Sequence, residues 1–185
     1  MPEMILLDGE ERMQGAIEAL KREMSLIRTG RANPSVLNGV MVSYYGTMTP
    51  INQIASISAP EAQQLLVKPY DKSALNDIVK AIQTADLNLN PVSDGTVIRI
   101  NFPALTTETR KQLSKSVKAI AENYKVNIRN IRRDLIDQFK KMEKNSDISE
   151  DDLHRYSDDA QKLTDTYTEK VDLAAKEKEE LIMEI

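Results

Sequence analysis

The chain has 185 residues, enough for one domain or two small ones, and its 41% hydrophobic content suffices for a modest core. It contains no cysteine, which excludes disulfide bonds, thiolate metal sites and thiol nucleophiles. No apolar run approaches the roughly 18 residues of a membrane span, and the N-terminus lacks the pattern of a signal peptide, so we expect a cytoplasmic protein.

The net charge of −4 conceals a segregation of charge along the sequence. Residues 106–144 carry eleven basic and five acidic side chains, a net +6, whereas residues 145–185 carry five basic and thirteen acidic ones, a net −8. Binding to nucleic acid depends on where phosphates meet cations and not on the total charge. The acidic balance therefore does not exclude a nucleic-acid partner.

A first helix is predicted to begin at Asp8, with Glu11 as the second half of a capping box. Apolar residues then recur at spacings of three and four, the pattern of a bundle seam: Met13, Ile17, Leu20, Met24 and Ile27. We expect this helix to end at Gly30, with Pro34 preventing its resumption. Residues 28–34 then form a linker.

Between residues 35 and 103 the pattern changes to short segments rich in β-branched and aromatic residues. Four of them are bounded by glycine or proline and predict strands: 40–45, 53–58, 64–70 and 96–102. One amphipathic helix is predicted over residues 73–85, ended by a turn at residues 88–91. These residues therefore predict a small α+β domain inserted into a helical protein.

Residues 106 to about 143 predict one long helix, capped by Thr106. Its apolar residues recur three or four apart and should face a bundle: Leu113, Val117, Ile120, Tyr124, Ile128, Ile131, Leu135 and Met142. A polar turn at residues 145–147 follows, and Ser149 with Asp152 forms a capping box for a third helix.

The third helix again has apolar residues on one face: Leu153, Tyr156, Ala160, Leu163, Tyr167, Val171, Ala174 and Leu181. We therefore predict an α+β fold in which residues 1–30 and 105–185 form a long antiparallel three-helix bundle. Residues 31–104 form an inserted β/α/β domain. Because two strands of chain join the two parts, we expect a hinge and an L-shaped molecule.

Basic residues recur along the long helix, offset from the apolar stripe by about 100° around the axis. They are Lys111, Lys115, Lys118, Lys125, Arg129, Arg132 and Lys140. We expect this basic stripe to face outward. Two interpretations remain open: the stripe binds RNA or another acidic partner, or part of it forms ion pairs with the acidic third helix.

Seven motifs follow one another in order over essentially the whole chain. They are RTGRANPS (28–35), YYGTMTP (44–50), DLNLNP (86–91), IRINFPALT (98–106), VNIRNIRRD (126–134), ISEDD (148–152) and SDDAQKLTD (157–165). Together they resemble the bacterial ribosome recycling factor family. The resemblance implies a three-helix bundle with an inserted β/α/β domain, in agreement with the pattern above.

The resemblance also implies a function. Such factors bind the large subunit of the post-termination ribosome near the peptidyl-tRNA site. Together with elongation factor G and its GTP hydrolysis they split the subunits and release mRNA and deacylated tRNA. We expect no enzymatic activity and no cofactor in this chain, since no phosphate-binding glycine-rich loop occurs in it.

Residues for binding ribosomal RNA follow from the resemblance and from the basic stripe. Arg132, within NIRRD, matches the central arginine of the family, and Arg110, Arg129 and Arg133 match the arginines around it. Two lysines of the basic stripe complete the predicted set. The predicted contact residues are Arg110, Arg129, Arg132, Arg133, Lys118 and Lys125. A planar guanidinium group suits this role because it can bridge phosphate oxygens bidentately.

The predicted hinge comprises Thr29, Gly30 and Arg31 on one strand and Pro103, Ala104 and Leu105 on the other. Where the family often has a second proline, Ala104 leaves one linker less rigid. Thr109, where the family often has arginine, removes one cation from the start of the long helix.

Other candidate sites have simpler explanations. His154 lacks a nucleophile or carboxylate arrangement around it. The acidic runs 150–152 and 158–159 lack the spacing and glycine of a calcium loop. Adjacent Tyr44 and Tyr45 should lie on opposite faces of a strand, so at most one could stack on a base.

The competing hypothesis is a helical adaptor that docks a partner protein along the basic stripe. We expect a monomer without a metal.

Overall fold

A computed structural model of the chain describes residues 1–85 and 89–184. Contacts divide the chain into two compact units. The first, the helical unit, comprises Met1–Met24 and Lys111–Ile182, and the second, the sheet unit, comprises Ser25–Arg110 with the residues from Met183 onward. The predicted α+β fold, with long helices and a small inserted sheet domain, is confirmed.

In chain order the elements are α1 (Pro2–Ser25), β1 (Met41–Tyr44), β2 (Thr47–Pro50), α2 (Ile51–Ile54), β3 (Ala55–Glu61), β4 (Gln64–Pro69), α3 (Leu75–Thr84), β5 (Pro91–Ser93), β6 (Ile98–Asn101), α4 (Thr107–Lys144) and α5 (Glu150–Met183). Short 3-10 turns precede β1, at Pro34–Leu37, and α3, at Lys72–Ala74. None of the helices in the described ranges is long and apolar enough to cross a membrane.

Helices α1 and α4 run antiparallel, as polar contacts at two levels show. Near the start of α1, Arg12 donates to Asp134 Oδ2 at 2.6 Å. Near its end, Glu23 accepts a hydrogen bond from the Tyr124 hydroxyl at 2.8 Å. The residue numbers rise along α1 while they fall along α4, so the two helices point in opposite directions.

Helix α5 runs parallel to α1 and therefore antiparallel to α4. Its Tyr156 hydroxyl donates to Glu3 at 2.6 Å, and its Tyr167 hydroxyl donates to Glu10 at 3.4 Å. The three helices form the predicted bundle, with α4 antiparallel to the other two. Its buried side chains are Met13, Ala16, Ile17, Leu20, Met24, Val117, Ala121, Ile128, Ile131, Leu135, Phe139, Tyr156, Ala160, Thr164, Tyr167, Val171, Ala175 and Ile182.

The start of α1 differs from the prediction. The helix begins at Pro2, not Asp8, and proline is a favourable first helical residue because its missing N–H has no helical partner there. Asp8 therefore lies within the helix, where its carboxylate is 3.8 Å from Arg12 Nη1, four residues on. The predicted capping box of Asp8 and Glu11 is wrong.

The end of α1 also differs from the prediction, since the helix stops at Ser25 and not at Gly30. Arg28 and Thr29 instead make non-helical hydrogen bonds: Arg28 donates to the Pro103 carbonyl and Thr29 to the Arg31 carbonyl. At the far end of α5, Leu181 was predicted in the seam but is 48% exposed, while the next residue, Ile182, is fully buried. At this end of α5 the 3.6-residue repeat therefore places Ile182, and not Leu181, on the buried face of the helix.

The sheet unit contains a four-stranded antiparallel sheet in the order β3-β4-β6-β5 and a separate β1-β2 hairpin. Their inner faces and α3 enclose one core of small and branched side chains. It comprises Ala32, Leu37, Val40, Val42, Ile51, Ile54, Ala55, Leu65, Val67, Ala74, Leu75, Ile78, Ile82, Ile98, Ile100 and Phe102.

Three details of the predicted strands are wrong. Residues 53 and 54 belong to α2, because Ile51 and Ile54, one helical turn apart, are both buried. Strand β3 continues through Pro60 to Glu61, which its edge position permits. The short strands β2 and β5 were not predicted, and β5 begins at Pro91, within the expected turn. Of that turn, residue 88 lies outside the described part of the chain, as do residues 86 and 87 of DLNLNP.

The two adjacent tyrosines do not alternate across a strand as expected. Tyr45 lies in the two-residue turn between β1 and β2 with φ 48°, followed by Gly46 with φ 78°. Positive φ at both positions defines a type I′ turn, which reverses the chain. Both hydroxyls consequently donate to Asp71, Tyr44 at 3.3 Å and Tyr45 at 3.0 Å, and the rings meet edge to face.

Candidate nucleic-acid interface on the long helix

The basic stripe lies on helix α4, which has 38 residues and is roughly 57 Å long at 1.5 Å per residue. Its predicted cap is confirmed: the Thr109 N–H donates to Thr106 Oγ1 at 3.1 Å. The Thr109 hydroxyl also lies 2.8 Å from the Thr106 hydroxyl. Thr109 thus contributes to the helix cap.

Arg132 is held against α5 by a neutral side chain. Its Nη1 donates to Gln161 Oε1 at 2.9 Å, and Gln161 Nε2 in turn donates to Asp165 Oδ1 at 2.8 Å. The Nε of Arg132 is buried and donates to no residue that the structure describes. A guanidinium group has five donors, so Arg132 keeps donors available for a further acceptor.

Two other cations of the predicted site are paired with carboxylates. Lys125 forms an ion pair with Asp172 on α5, and its side chain is only 23% exposed. Arg129 Nη2 donates to Glu122 Oε1 at 2.8 Å, two turns earlier on α4. The expectation of an outward-facing stripe is therefore wrong for Lys125, which the acidic α5 draws into an interhelical contact.

The remaining predicted cations differ in exposure. Arg133 and Lys118 are exposed, and neither has a hydrogen bond or ion pair with any residue in 1–85 or 89–184. Arg110 is half-buried, and its Nε is covered without an acceptor among those same residues. Arg133 and Lys118 are thus the predicted cations with the fewest competing partners.

The predicted hinge residues all belong to the sheet unit. Thr29 Oγ1 donates to the Arg31 carbonyl at 3.3 Å, and Arg31 Nη2 donates to Glu184 Oε1 at 3.0 Å. Pro103 and Ala104 are exposed, whereas Leu105 is buried.

Gln161 and Asp165 were not predicted as site residues, although both lie in the SDDAQKLTD motif. The available signal was their spacing of four residues, which places a glutamine beside a carboxylate on one helix face. Nothing in the sequence alone locates this pair opposite Arg132.

The alternative sites remain unsupported by geometry. His154 Nε2 lies 4.0 Å from Glu150 in an exposed position, and no group of three or more His, Asp or Glu residues in the described ranges is placed to hold a metal ion. The acidic run at the start of α5 contains the predicted capping box. Ser149 N donates to Asp152 Oδ2 at 3.3 Å, and Asp152 N donates to Ser149 Oγ at 3.0 Å. Hydrogen bonding from Ser149 holds the pKa of Asp152 below its usual value.

Comparison with known proteins places this architecture in one family. Residues 20–183 match the family Ribosome recycling factor. The Ribosome-recycling factor of Oceanobacillus iheyensis is 56% identical over 180 residues, 97% of this chain and 97% of that protein.

Two solved structures share the fold over the whole chain. A solution structure of a ribosome recycling factor has a TM-score of 0.82 at 37% identity, covering 100% of this chain and 98% of the other. The T. thermophilus ribosome recycling factor, in models with the E. coli elongation factor G bound to the E. coli post-termination complex, has a TM-score of 0.68 at 41% identity, covering 100% of both chains. The chain therefore belongs to the ribosome recycling factor family.

Proposed function

We propose that this protein binds the post-termination ribosome on its large subunit and splits the subunits together with elongation factor G, freeing mRNA and deacylated tRNA. The observation that carries the proposal is the likeness, over the full length of both chains, to a recycling factor that is described with elongation factor G on a post-termination complex. The factor would act in the cytoplasm as a monomer.

The protein works by binding and displacement and not by catalysis. Neither a nucleophile with its base nor a glycine-rich phosphate loop is found in the sequence. GTP hydrolysis by elongation factor G is the energy source in this scheme. The chain needs only a surface for ribosomal RNA and a means of transmitting movement.

The surface proposed for ribosomal RNA is the basic stripe of α4, with Arg132 as its central contact. Arg132 and Arg133 suit phosphate binding because neither is paired with a carboxylate among the residues described. Arg129 and Lys125 must leave Glu122 and Asp172 before they can contact a phosphate. Lys118 of the stripe and the additional cation Arg110 lie nearer the start of the helix.

The proposed means of transmitting movement is a hinge between two parts of the chain. One part comprises residues 1–30 and 105–185, and the other comprises residues 31–104. Its two strands are Thr29 to Arg31 and Pro103 to Leu105. Arg28, the residue before the first strand, donates a hydrogen bond from its guanidinium group to the Pro103 carbonyl of the second. This bond links the two strands of chain within the sheet unit.

A subunit-splitting assay tests the function directly. Purified post-termination ribosomes are mixed with the protein, elongation factor G and GTP, and splitting is followed by light scattering. We expect splitting only when all components are present, and its absence in the complete mixture would refute the proposal.

The RNA surface is tested separately by ribosome affinity at several salt concentrations. Arg132→Ala should weaken binding by about 1 to 3 kcal/mol and reduce the slope of log affinity against log salt by about 1. Unchanged affinity would refute the arginine contact and favour an adaptor that docks a protein along the stripe.

A further inference from the structure

The contact between Arg132 and Gln161 suggests a role for α5 in ribosome binding. We propose that Gln161 is a positioning residue that fixes the Arg132 guanidinium group for a ribosomal-RNA phosphate, with Asp165 fixing the Gln161 amide. The proposal rests on the proposed function, in which Arg132 contacts ribosomal RNA. It adds two residues on α5 that the basic stripe does not include.

The orientation of the Gln161 amide is determined by its two partners. Arg132 can only donate hydrogen bonds, and the ionised Asp165 carboxylate can only accept them. The amide therefore makes both bonds in one orientation, with Oε1 toward Arg132 and Nε2 toward Asp165. A rotation by 180° would place donor against donor at one end and acceptor against acceptor at the other.

The neutrality of Gln161 is what distinguishes this contact from its neighbours. Arg129 and Lys125 are paired with carboxylates, which partly cancel their charge toward a phosphate. The amide of Gln161 orients Arg132 without cancelling its charge. Gln161 thus orients the guanidinium group as the carboxylate of an ion pair would. Because it is neutral, it preserves the electrostatic attraction that dominates binding to nucleic-acid phosphates.

Orientation before binding should increase affinity. An arginine side chain that no neighbour holds loses rotamer freedom when it contacts a phosphate. That loss weakens binding by about two- to tenfold per immobilised side chain. In this protein the loss has already occurred on folding. Gln161 uses one of the five donors of Arg132 and the Nε donor is buried, so three donors remain for a phosphate.

The test is a double-mutant cycle measured as ribosome affinity over a range of salt concentrations. Gln161→Ala should weaken binding by about two- to tenfold. Gln161→Glu should weaken it further and reduce the salt slope by about 1, since its carboxylate neutralises Arg132. When Arg132 is already alanine, Gln161→Ala should have no further effect.

Matched variants separate positioning from general charge and from packing. Gln14→Glu adds the same charge at an exposed position of a different helix, α1, and should change affinity much less than Gln161→Glu. Asp165→Asn keeps a side-chain oxygen that can accept a hydrogen bond from Gln161. This variant should therefore bind the ribosome more tightly than Asp165→Ala. Thermal unfolding of each variant identifies any that has lost structure.

The possible outcomes distinguish this inference from the proposed function. If Arg132→Ala weakens binding but Gln161→Ala does so equally with and without Arg132, the positioning role is overturned and the function stands. If Gln161→Glu binds as tightly as Gln161→Ala with the same salt slope, the neutrality argument is wrong. If Arg132→Ala itself binds normally, both the RNA contact and the positioning role are refuted.

Discussion

Gly9 of α1 lies directly against Leu135 of α4: a Cβ atom added at Gly9 would be 2.8 Å from Leu135 Cδ2 and closer still to Cδ1. Leu135 is fully buried in the bundle core, so its side chain has no free space to enter. A glycine inside a helix normally reduces stability relative to alanine. At this position it permits the close approach of two helices.

The first prediction compares the two glycines of α1. Gly9→Ala should destabilise the protein by about 1 to 3 kcal/mol, because overpacking outweighs the gain in helix propensity. Gly15→Ala should stabilise it by about 0.5 to 1 kcal/mol, since nothing lies within 4 Å of the added Cβ. Urea denaturation of both variants measures the difference. An equal gain from both substitutions would contradict the close packing at Gly9.

The second prediction concerns the pairing of Arg129 with Glu122. Both side chains are more than a third exposed, so the pair contributes little to stability but competes with a phosphate for the guanidinium group. Glu122→Gln should therefore tighten ribosome binding by about two- to fivefold with little change in unfolding free energy. Affinity at constant salt is the measurement.

A matched control removes the same charge elsewhere on α4. Glu143 has no ion pair with any residue in the described ranges, and Glu143→Gln changes the net charge equally. Similar affinities for the two variants would attribute any gain to net charge alone. Only a larger effect of Glu122→Gln supports the release of Arg129.

The third prediction concerns the turn between β5 and β6. Asp94 Oδ1 accepts hydrogen bonds from the backbone of Val97 at 2.9 Å and of Thr96 at 3.0 Å, and from the Thr96 hydroxyl at 2.9 Å. These bonds, led by that from Val97, lower the pKa of Asp94 to about 2. They favour the ionised form in the folded protein.

The sign of the pH effect follows from this lowered pKa. In the unfolded chain the carboxyl has its ordinary pKa of about 3.9, so the stabilising effect is complete above that pH. It is lost progressively as the pH falls toward 2. An NMR titration of the Asp94 carboxyl should give a midpoint near 2, and the stability difference between wild type and Asp94→Asn should shrink over the same range. A midpoint near 3.9 would contradict the bonded turn.

Much of the fold could be predicted because long amphipathic helices repeat their pattern many times. The caps at Thr106 and Ser149 were found because a cap needs only a few neighbouring residues. The start of α1 was misplaced because Asp8 and Glu11 offered a local capping pattern, whereas the helix begins at Pro2, a favourable first helical residue. Strands of three or four residues with a terminal proline, such as β5, carry too little periodicity to be recognised.

The candidate site could be predicted only in its residue types. Spacing along α4 shows which cations share a face, but their partners on α5 depend on how two helices align over many turns. Lys125 and Arg132, seven residues apart, meet an aspartate and a glutamine respectively. The partner decides whether the charge of the cation is neutralised or the cation is only oriented. Which partner each cation meets is determined by the packing of the helices in the bundle.

The last prediction tests the hinge by stiffening one strand. Ala104 is exposed, and its N–H makes no hydrogen bond to any residue in the described ranges, so Ala104→Pro removes no bond. The preceding residue, Pro103, already favours the extended conformation that a following proline requires. If movement between the two parts drives splitting, Ala104→Pro should change the splitting rate with elongation factor G and GTP while ribosome affinity remains similar.

The control places proline three residues later, outside the proposed hinge. Thr107 is the first residue of α4, where proline is well tolerated because no helical hydrogen bond is lost. Thr107→Pro should leave both affinity and splitting rate unchanged. Equal splitting rates for wild type, Ala104→Pro and Thr107→Pro would show that this strand does not limit the movement, since the added proline restricts φ at residue 104 only in the first variant.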